Sequence, residues 1–337
     1  MDPQPVEPAS RRTGPPPATR HRSRYRPGSA VATAFALLLT AALTGGCSAV
    51  ISTNVPRPAA VREFSAQVDV HDEALTVHLA SPRTPPSAST PLVLYASGDG
   101  GWFGAAVGMF HTIAGSGLPA AGFSTKAFMR IEHRWSKPLS VAHVTEGYQR
   151  IIDAARAQLR LPPDNPVVLT GWSRGASLGV LVASSREVDR HVIGLVAIGL
   201  AADEQLDIDG GSDDDPGEGT QVPAGLADDP HARSIAMYPL LSGMAPRRVV
   251  VIQASGDSYL PGARARELFG ADSTMKRLVV VDARNHRFNG GESRFAAALV
   301  EALSWISPSG GADMAATRAA APVSSSRVLG NPRGGFE

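Results

Sequence analysis

Cysteine is all but missing: Cys47 is the only one in 337 residues, so the chain can form neither an internal disulfide nor a thiolate metal cage. Net charge is missing as well. With 32 Lys and Arg against 31 Asp and Glu, a sum of +1 gives no overall field to hold a nucleic acid, and no nucleic-acid partner is expected. There is no His-Glu-x-x-His and no pair of cysteines. The acidic run at 209–219 lacks the ligand alternation and terminal Glu of a calcium loop. A dinucleotide loop starting at Gly98 would need glycine where Phe103 stands. No metal and no cofactor are therefore expected. What the chain does have is 43% hydrophobic residues, enough for an ordinary globular core.

The near-zero charge sum hides segregation. Residues 1–27 hold six arginines against Asp2 and Glu7, with seven prolines, and read as an unstructured basic segment. The apolar run at 30–43 is 14 residues long, about half of a membrane-spanning helix but the length of a signal-peptide core. Thr44-Gly45-Gly46-Cys47 follows it and resembles a lipobox, with Thr44 where a Leu-like residue is usual. The expectation is export to the periplasmic side, with residues 1–46 as basic n-region and signal peptide and Cys47 lipidated. An uncleaved anchor and plain secretion are the alternatives. Removing residues 1–46 leaves 26 basic against 29 acidic residues, so the working chain is mildly acidic.

Residues 47–62 read as a linker, 63–307 as one domain, and 308–337, poor in large apolar residues, as a disordered tail. Within the domain, 65–70 and 75–80 alternate in polarity around His71-Asp72-Glu73 and predict an antiparallel hairpin. Compact apolar runs at 91–96, 119–123, 167–171, 192–200, 249–253 and 278–281 predict strands buried on both faces, and 142–160 and 292–306 carry helical periodicity. Strand and helix alternating in this way predict an α/β fold with a mainly parallel sheet covered on both faces, its chemistry at the carboxyl ends of the strands. The stretch 203–233 holds ten acidic residues up to 229 and no Lys or Arg before His231, and reads either as a lid or as a solvated loop.

Gly171-Trp172-Ser173-Arg174-Gly175 lies between a predicted strand and a predicted helix, where a tight turn lifts a serine hydroxyl above the sheet. A nucleophilic serine needs a base and the base an orienting acid. Later strands end in Gly256-Asp257 and in Asn285-His286, which nominates Ser173 as nucleophile, His286 as base and Asp257 as acid, with Asp282 and Asp203 as alternative acids. Two amides must receive the developing oxyanion. Arg174 is the first, and Gly101 or Trp102, in Ser97-Gly98-Asp99-Gly100-Gly101-Trp102, is the second. Asp99 either touches substrate or caps its loop.

Together, Ser-Gly-Asp-Gly-Gly-Trp at 97–102, the elbow at 171–175, Gly256-Asp257 and Asn285-His286 resemble the VirJ/AcvB group of bacterial virulence proteins within the α/β-hydrolase superfamily, over residues 91 to about 306. The chain departs from that group at the elbow, where Trp172 and Arg174 stand at places that more often hold Tyr and Phe. The resemblance implies an α/β-hydrolase fold with an N-terminal antiparallel hairpin, an exported serine ester hydrolase, hydrolysis of the aminoacylated phospholipid lysyl-phosphatidylglycerol at a membrane surface, and links to secretion-system components. A general carboxylesterase or lipase of the dienelactone-hydrolase kind and a non-catalytic secretion-assembly factor on the same fold are the other readings.

Overall fold

A computed structural model describes residues 61–136, 139–206 and 234–307. The basic segment, the apolar run, Cys47, the tail and most of the acidic stretch lie outside the described residues.

Strands β1 (Val61–Val70) and β2 (Glu73–Pro82) form the predicted hairpin, which begins two residues before the expected domain boundary. The pair Val70–Glu73 closes a two-residue turn in which His71 and Asp72 are both left-handed, with φ of 53° and 64°. A turn with two positive φ values matches the twist of paired strands, and Asp tolerates that conformation better than most residues. Strand β2 then lies antiparallel to β4 (Ala120–Phe123). The other strands run parallel to β4: β3 (Leu92–Ala96), β5 (Val167–Trp172), β6 (Val192–Ile198), β9 (Arg248–Ala254) and β10 (Lys276–Val281), in the order β1-β2-β4-β3-β5-β6-β9-β10. Short strands β7 (Asp203–Gln205) and β8 (Ser234–Ala236) pair antiparallel and join the two ends of the acidic stretch.

Successive strand residues point to opposite faces, and both faces are apolar. Leu92, Leu94, Leu169, Leu195, Val249 and Val251 pack in one cluster, with Phe128 of α2 (Thr125–Trp135), Tyr148, Ile151 and Ile152 of α3 (Val141–Leu159) and Leu178 of α4 (Arg174–Ser184). Val93, Tyr95, Val168, Val196, Val250 and Ile252 pack in the other, with Met109, Phe110 and Ile113 of α1 (Ala105–Gly115) and Leu299 and Leu303 of α7 (Glu292–Ile306). The buried face of α3 includes Val144, Tyr148, Ile151, Ile152 and Ala155, as its periodicity predicts, and Ser140 caps it by accepting from the His143 amide at 3.3 Å. A four-residue helix α5 (Met237–Leu240) and α6 (Gly262–Phe269) complete the order.

One buried pair sits away from the strand ends. Nε2 of His71, in the hairpin turn, lies 3.3 Å from Oε1 of Glu132 on α2, and neither side chain reaches solvent. Neither Glu132 oxygen has a hydrogen-bond partner among the described residues. Burial, aided by Glu146 and opposed by Arg150, pushes the Glu132 carboxyl up to about 8, and burial lowers His71. Among the described residues no helix is long and apolar enough to cross a membrane.

Candidate active site

The site is built from the carboxyl ends of β3, β5, β6, β9 and β10. Ser173 follows β5 and precedes α4 with φ 56° and ψ −124°, a conformation strained for any residue with a Cβ. Its amide donates to the Ile198 carbonyl at 2.8 Å, which ties the turn to β6. Glycine is required on both sides: a Cβ on Gly171 would lie 2.1 Å from the Gly175 carbonyl oxygen, and one on Gly175 would lie 2.3 Å from that of Ser97. The sharp strand-to-helix turn read from the pentapeptide is therefore present. Ser173 stands at the amino end of a helix of 11 residues, where the dipole favours negative charge.

Asp257, after β9, is fully buried. Its Oδ1 accepts from the Tyr259 amide at 2.9 Å and its Oδ2 from Gln253 Nε2 at 2.9 Å, and Oδ2 also meets His286 Nδ1 at 2.7 Å. Three hydrogen-bond partners on one carboxylate fix its direction. With Nδ1 committed to Asp257, His286 presents Nε2 as its open nitrogen. That atom is buried and has no hydrogen-bond partner among the described residues. The other acids considered lie elsewhere: Asp282 is 87% exposed and pairs with Arg294, and Asp203 is exposed at the start of β7.

The turn carrying His286 is held by its neighbours. Asn285 Oδ1 accepts from the amides of Arg287 and Asn289, Phe288 (φ 61°) is buried against Phe295 with ring centres 4.5 Å apart, and Trp172 Nε1 donates to the His286 carbonyl at 3.2 Å. The imidazole packs near Trp172 and Tyr259 and over Gly199. A Cβ on Gly199, which has φ +58°, would come within 2.7 Å of His286 Cε1. Trp172 and the β6 end thus bring the ring to the elbow, although no hydrogen bond joins Ser173 Oγ to His286 Nε2.

The loop after β3 corrects one expectation. The Gly101 amide donates to the Gly98 carbonyl at 3.0 Å within a turn and is withdrawn as an oxyanion donor. Trp102 is an anchor: its ring stacks on His78 at 4.2 Å, meets Phe110 edge-on, and fills the space above Gly122. Gly98 is the loop residue beside the elbow, since a Cβ there would lie 3.3 Å from Ser173 Cβ. Asp99, next in the chain, is 56% exposed and reaches Arg174 Nη1 at 3.5 Å. Arg174 supplies the first amide of α4, which points out of the helix end.

Sequence reasoning missed Gly199, Gln253 and Glu204. A polar residue closing the apolar run VVVIQ and a glycine inside VAIGL were the only signals for the first two. Glu204 falls in the acidic stretch, yet it is only 9% exposed and lies 3.1 Å from Arg174 Nε. Burial pushes its carboxyl up to about 7, with Arg174 pulling the other way.

No protein-family model matches the sequence, and no curated protein matches it. Solved structures do. Esterase B from Lactobacillus rhamnosis, in a tributyrin phosphonate-inhibited form, is 14% identical, covers 84% of this chain and 97% of its own, and superposes with a TM-score of 0.53. A protein assigned as a dienelactone hydrolase from Klebsiella pneumoniae subsp. pneumoniae is 12% identical, covers 73% and 98%, and gives 0.51. At such identities the likeness speaks for the fold, and the fold of this chain is that of the α/β-hydrolases, as expected.

Proposed function

We propose that this chain is a serine hydrolase of carboxylic esters. The observation that carries the reading is the 2.7 Å contact of His286 Nδ1 with the buried Asp257 carboxylate, with Nε2 left open and the ring packed near Trp172, the residue before the strained Ser173. In the reaction, His286 Nε2 takes the Ser173 proton as Oγ bonds to the ester carbonyl carbon. Asp257 holds the tautomer and stabilises the imidazolium. The amide of Arg174 and, in place of Gly101 or Trp102, that of Asp99 receive the oxyanion. The tetrahedral adduct expels the alkoxide, which takes the proton from His286, and water then cleaves the acyl-Ser173 ester by the same path. The two neighbours, an esterase and a protein assigned as a dienelactone hydrolase, support this class. Ser173→Ala should abolish ester turnover and labelling by a fluorophosphonate, with thermal stability kept. Turnover retained by the variant would refute Ser173 as nucleophile, and failure of folded wild-type protein to label with the fluorophosphonate would favour a non-catalytic assembly role.

A finer reading rests on the resemblance at 97–102: the ester is the aminoacyl ester of lysyl-phosphatidylglycerol, met at a membrane to which Cys47 is lipid-tethered after export. The exposed Asp99 carboxylate beside the elbow supports a cationic substrate. Turnover of lysyl-phosphatidylglycerol vesicles should exceed that of short acyl esters. The reverse preference would favour a general carboxylesterase.

A further inference from the structure

Arg174 follows the proposed nucleophile, yet its guanidinium is only 7% exposed. Three separate pieces of chain meet it. Nε lies 3.1 Å from Glu204 Oε1, Nη2 donates to the Gln205 carbonyl at 3.0 Å, and Nη1 lies 3.5 Å from Asp99 Oδ1. Glu204 Oε1 also accepts from the Gln205 amide at 3.2 Å, which fixes the carboxylate on β7. A planar guanidinium engaged along several edges inside the protein has one orientation, so the pieces that hold it are held relative to one another. Two of those pieces carry the amides assigned to the oxyanion: Arg174 itself at the start of α4, and the loop of Gly98 and Asp99.

We propose that Glu204 is a positioning residue for ester hydrolysis, setting through Arg174 the spacing between the elbow and the loop after β3. The inference rests on the ester-hydrolase reading. Removing Glu204 takes from a buried cation the carboxylate 3.1 Å away, and a buried charge that loses a counter-ion shifts from its present orientation. The strand β8 opposite β7 brings Ser234, Ile235 and Ala236 and no charge, so among the described residues the ionic groups that face Glu204 are Arg174 and Asp99.

The ionisation of Glu204 gives this role a signature. Its carboxyl is pushed up to about 7, chiefly by burial. Above that pH it is charged and the pair with Arg174 is complete. Below it a neutral acid faces the guanidinium and the clamp weakens. The acid side of the kcat profile therefore carries an ionisation of Glu204 in addition to that of the general base.

The test uses the full chain, a short-chain p-nitrophenyl ester and a fluorophosphonate. Glu204→Ala should lower kcat about tenfold with KM changed less than about twofold, the scale expected of a misplaced rather than a missing oxyanion donor. Glu204→Gln, nearly isosteric and certain to stay neutral, should lose the extra ionisation, so that its acid limb is shallower than that of the wild type. Wild-type kcat with an unchanged acid limb in folded Glu204→Gln, and Ser173 labelled as fast as in the wild type, would overturn the positioning role alone. If wild-type Ser173 neither labels nor is needed for turnover, the ester-hydrolase reading fails and this inference falls with it.

Discussion

Replacing Glu132 by Gln should make the protein more stable at alkaline pH, although it alters a fully buried residue. The carboxyl oxygens have no hydrogen-bond partner among the described residues, and Oε1 lies 3.3 Å from His71 Nε2. Raising this acid from 4.5 to about 8 makes ionisation in place cost on the order of 5 kcal/mol. A raised acid keeps its proton in the folded chain after the unfolded chain has released it. Its effect is therefore absent below about pH 4.5, grows as the pH rises, and is complete above about 8. Burial also disfavours the charged form of His71, so both partners lean toward neutrality and the pair is drawn toward an acid beside an imidazole rather than two ions. Glutamine has the same shape and no charge to lose. Urea unfolding of both proteins at pH 5, 7 and 9 should give a stability difference that grows in favour of the variant by on the order of 4 kcal/mol across the series. A true buried ion pair predicts the opposite, because removing one partner strands the other at a cost of about 3–5 kcal/mol near neutrality. A difference that stays flat with pH, or favours the wild type at pH 9, would refute the reasoning.

Asp257→Asn keeps the shape of the acid but cannot hold the His286 tautomer; ester turnover should fall on the order of 10⁴-fold with the thermal midpoint nearly unchanged, and a loss under tenfold would reassign the acid. Gly199→Ala places a Cβ 2.7 Å from His286 Cε1 at φ +58°, so both kcat and fluorophosphonate labelling should drop, and stability should fall by about 1 kcal/mol or more in thermal unfolding. Phe288→Ala removes a ring that is 1% exposed and packed on Phe295, and denaturant unfolding should register a loss of about 3–5 kcal/mol together with weakened turnover, since the His286 turn loses its anchor.

What was legible in the sequence follows from the period of burial. The central strands, covered on both faces, read as unbroken apolar runs, and β3, β5, β6 and β9 all appear where such runs stand. The long helix α3 announced itself because one face alone is buried. The short segments were silent for the same reason. Helix α6 has only eight residues, too few for a period to emerge, while β7 and β8 have three each and exist by pairing across a long stretch of chain. Strand β10, at the sheet edge, is apolar in its last four residues only, and those alone were read.

The elbow, the acid and the histidine could be found because each closes a strand in a required order, which is information along the chain. The residues that went unrecognised act across it. Gly199 matters because a ring from a loop 87 positions later packs over it, and Gly101 failed as a donor because its amide is spent three residues back, neither of which a residue type can reveal. Glu204 makes the point most sharply. Its neighbours in sequence are acidic and point to a solvated loop, whereas its neighbour in space is the guanidinium that follows Ser173. The same carboxylate is a surface charge by composition and a buried partner by topology, because β8 pairs with β7 and α4 packs against it. A site assembled from five strand ends is legible in sequence only for the groups that the chemistry itself names.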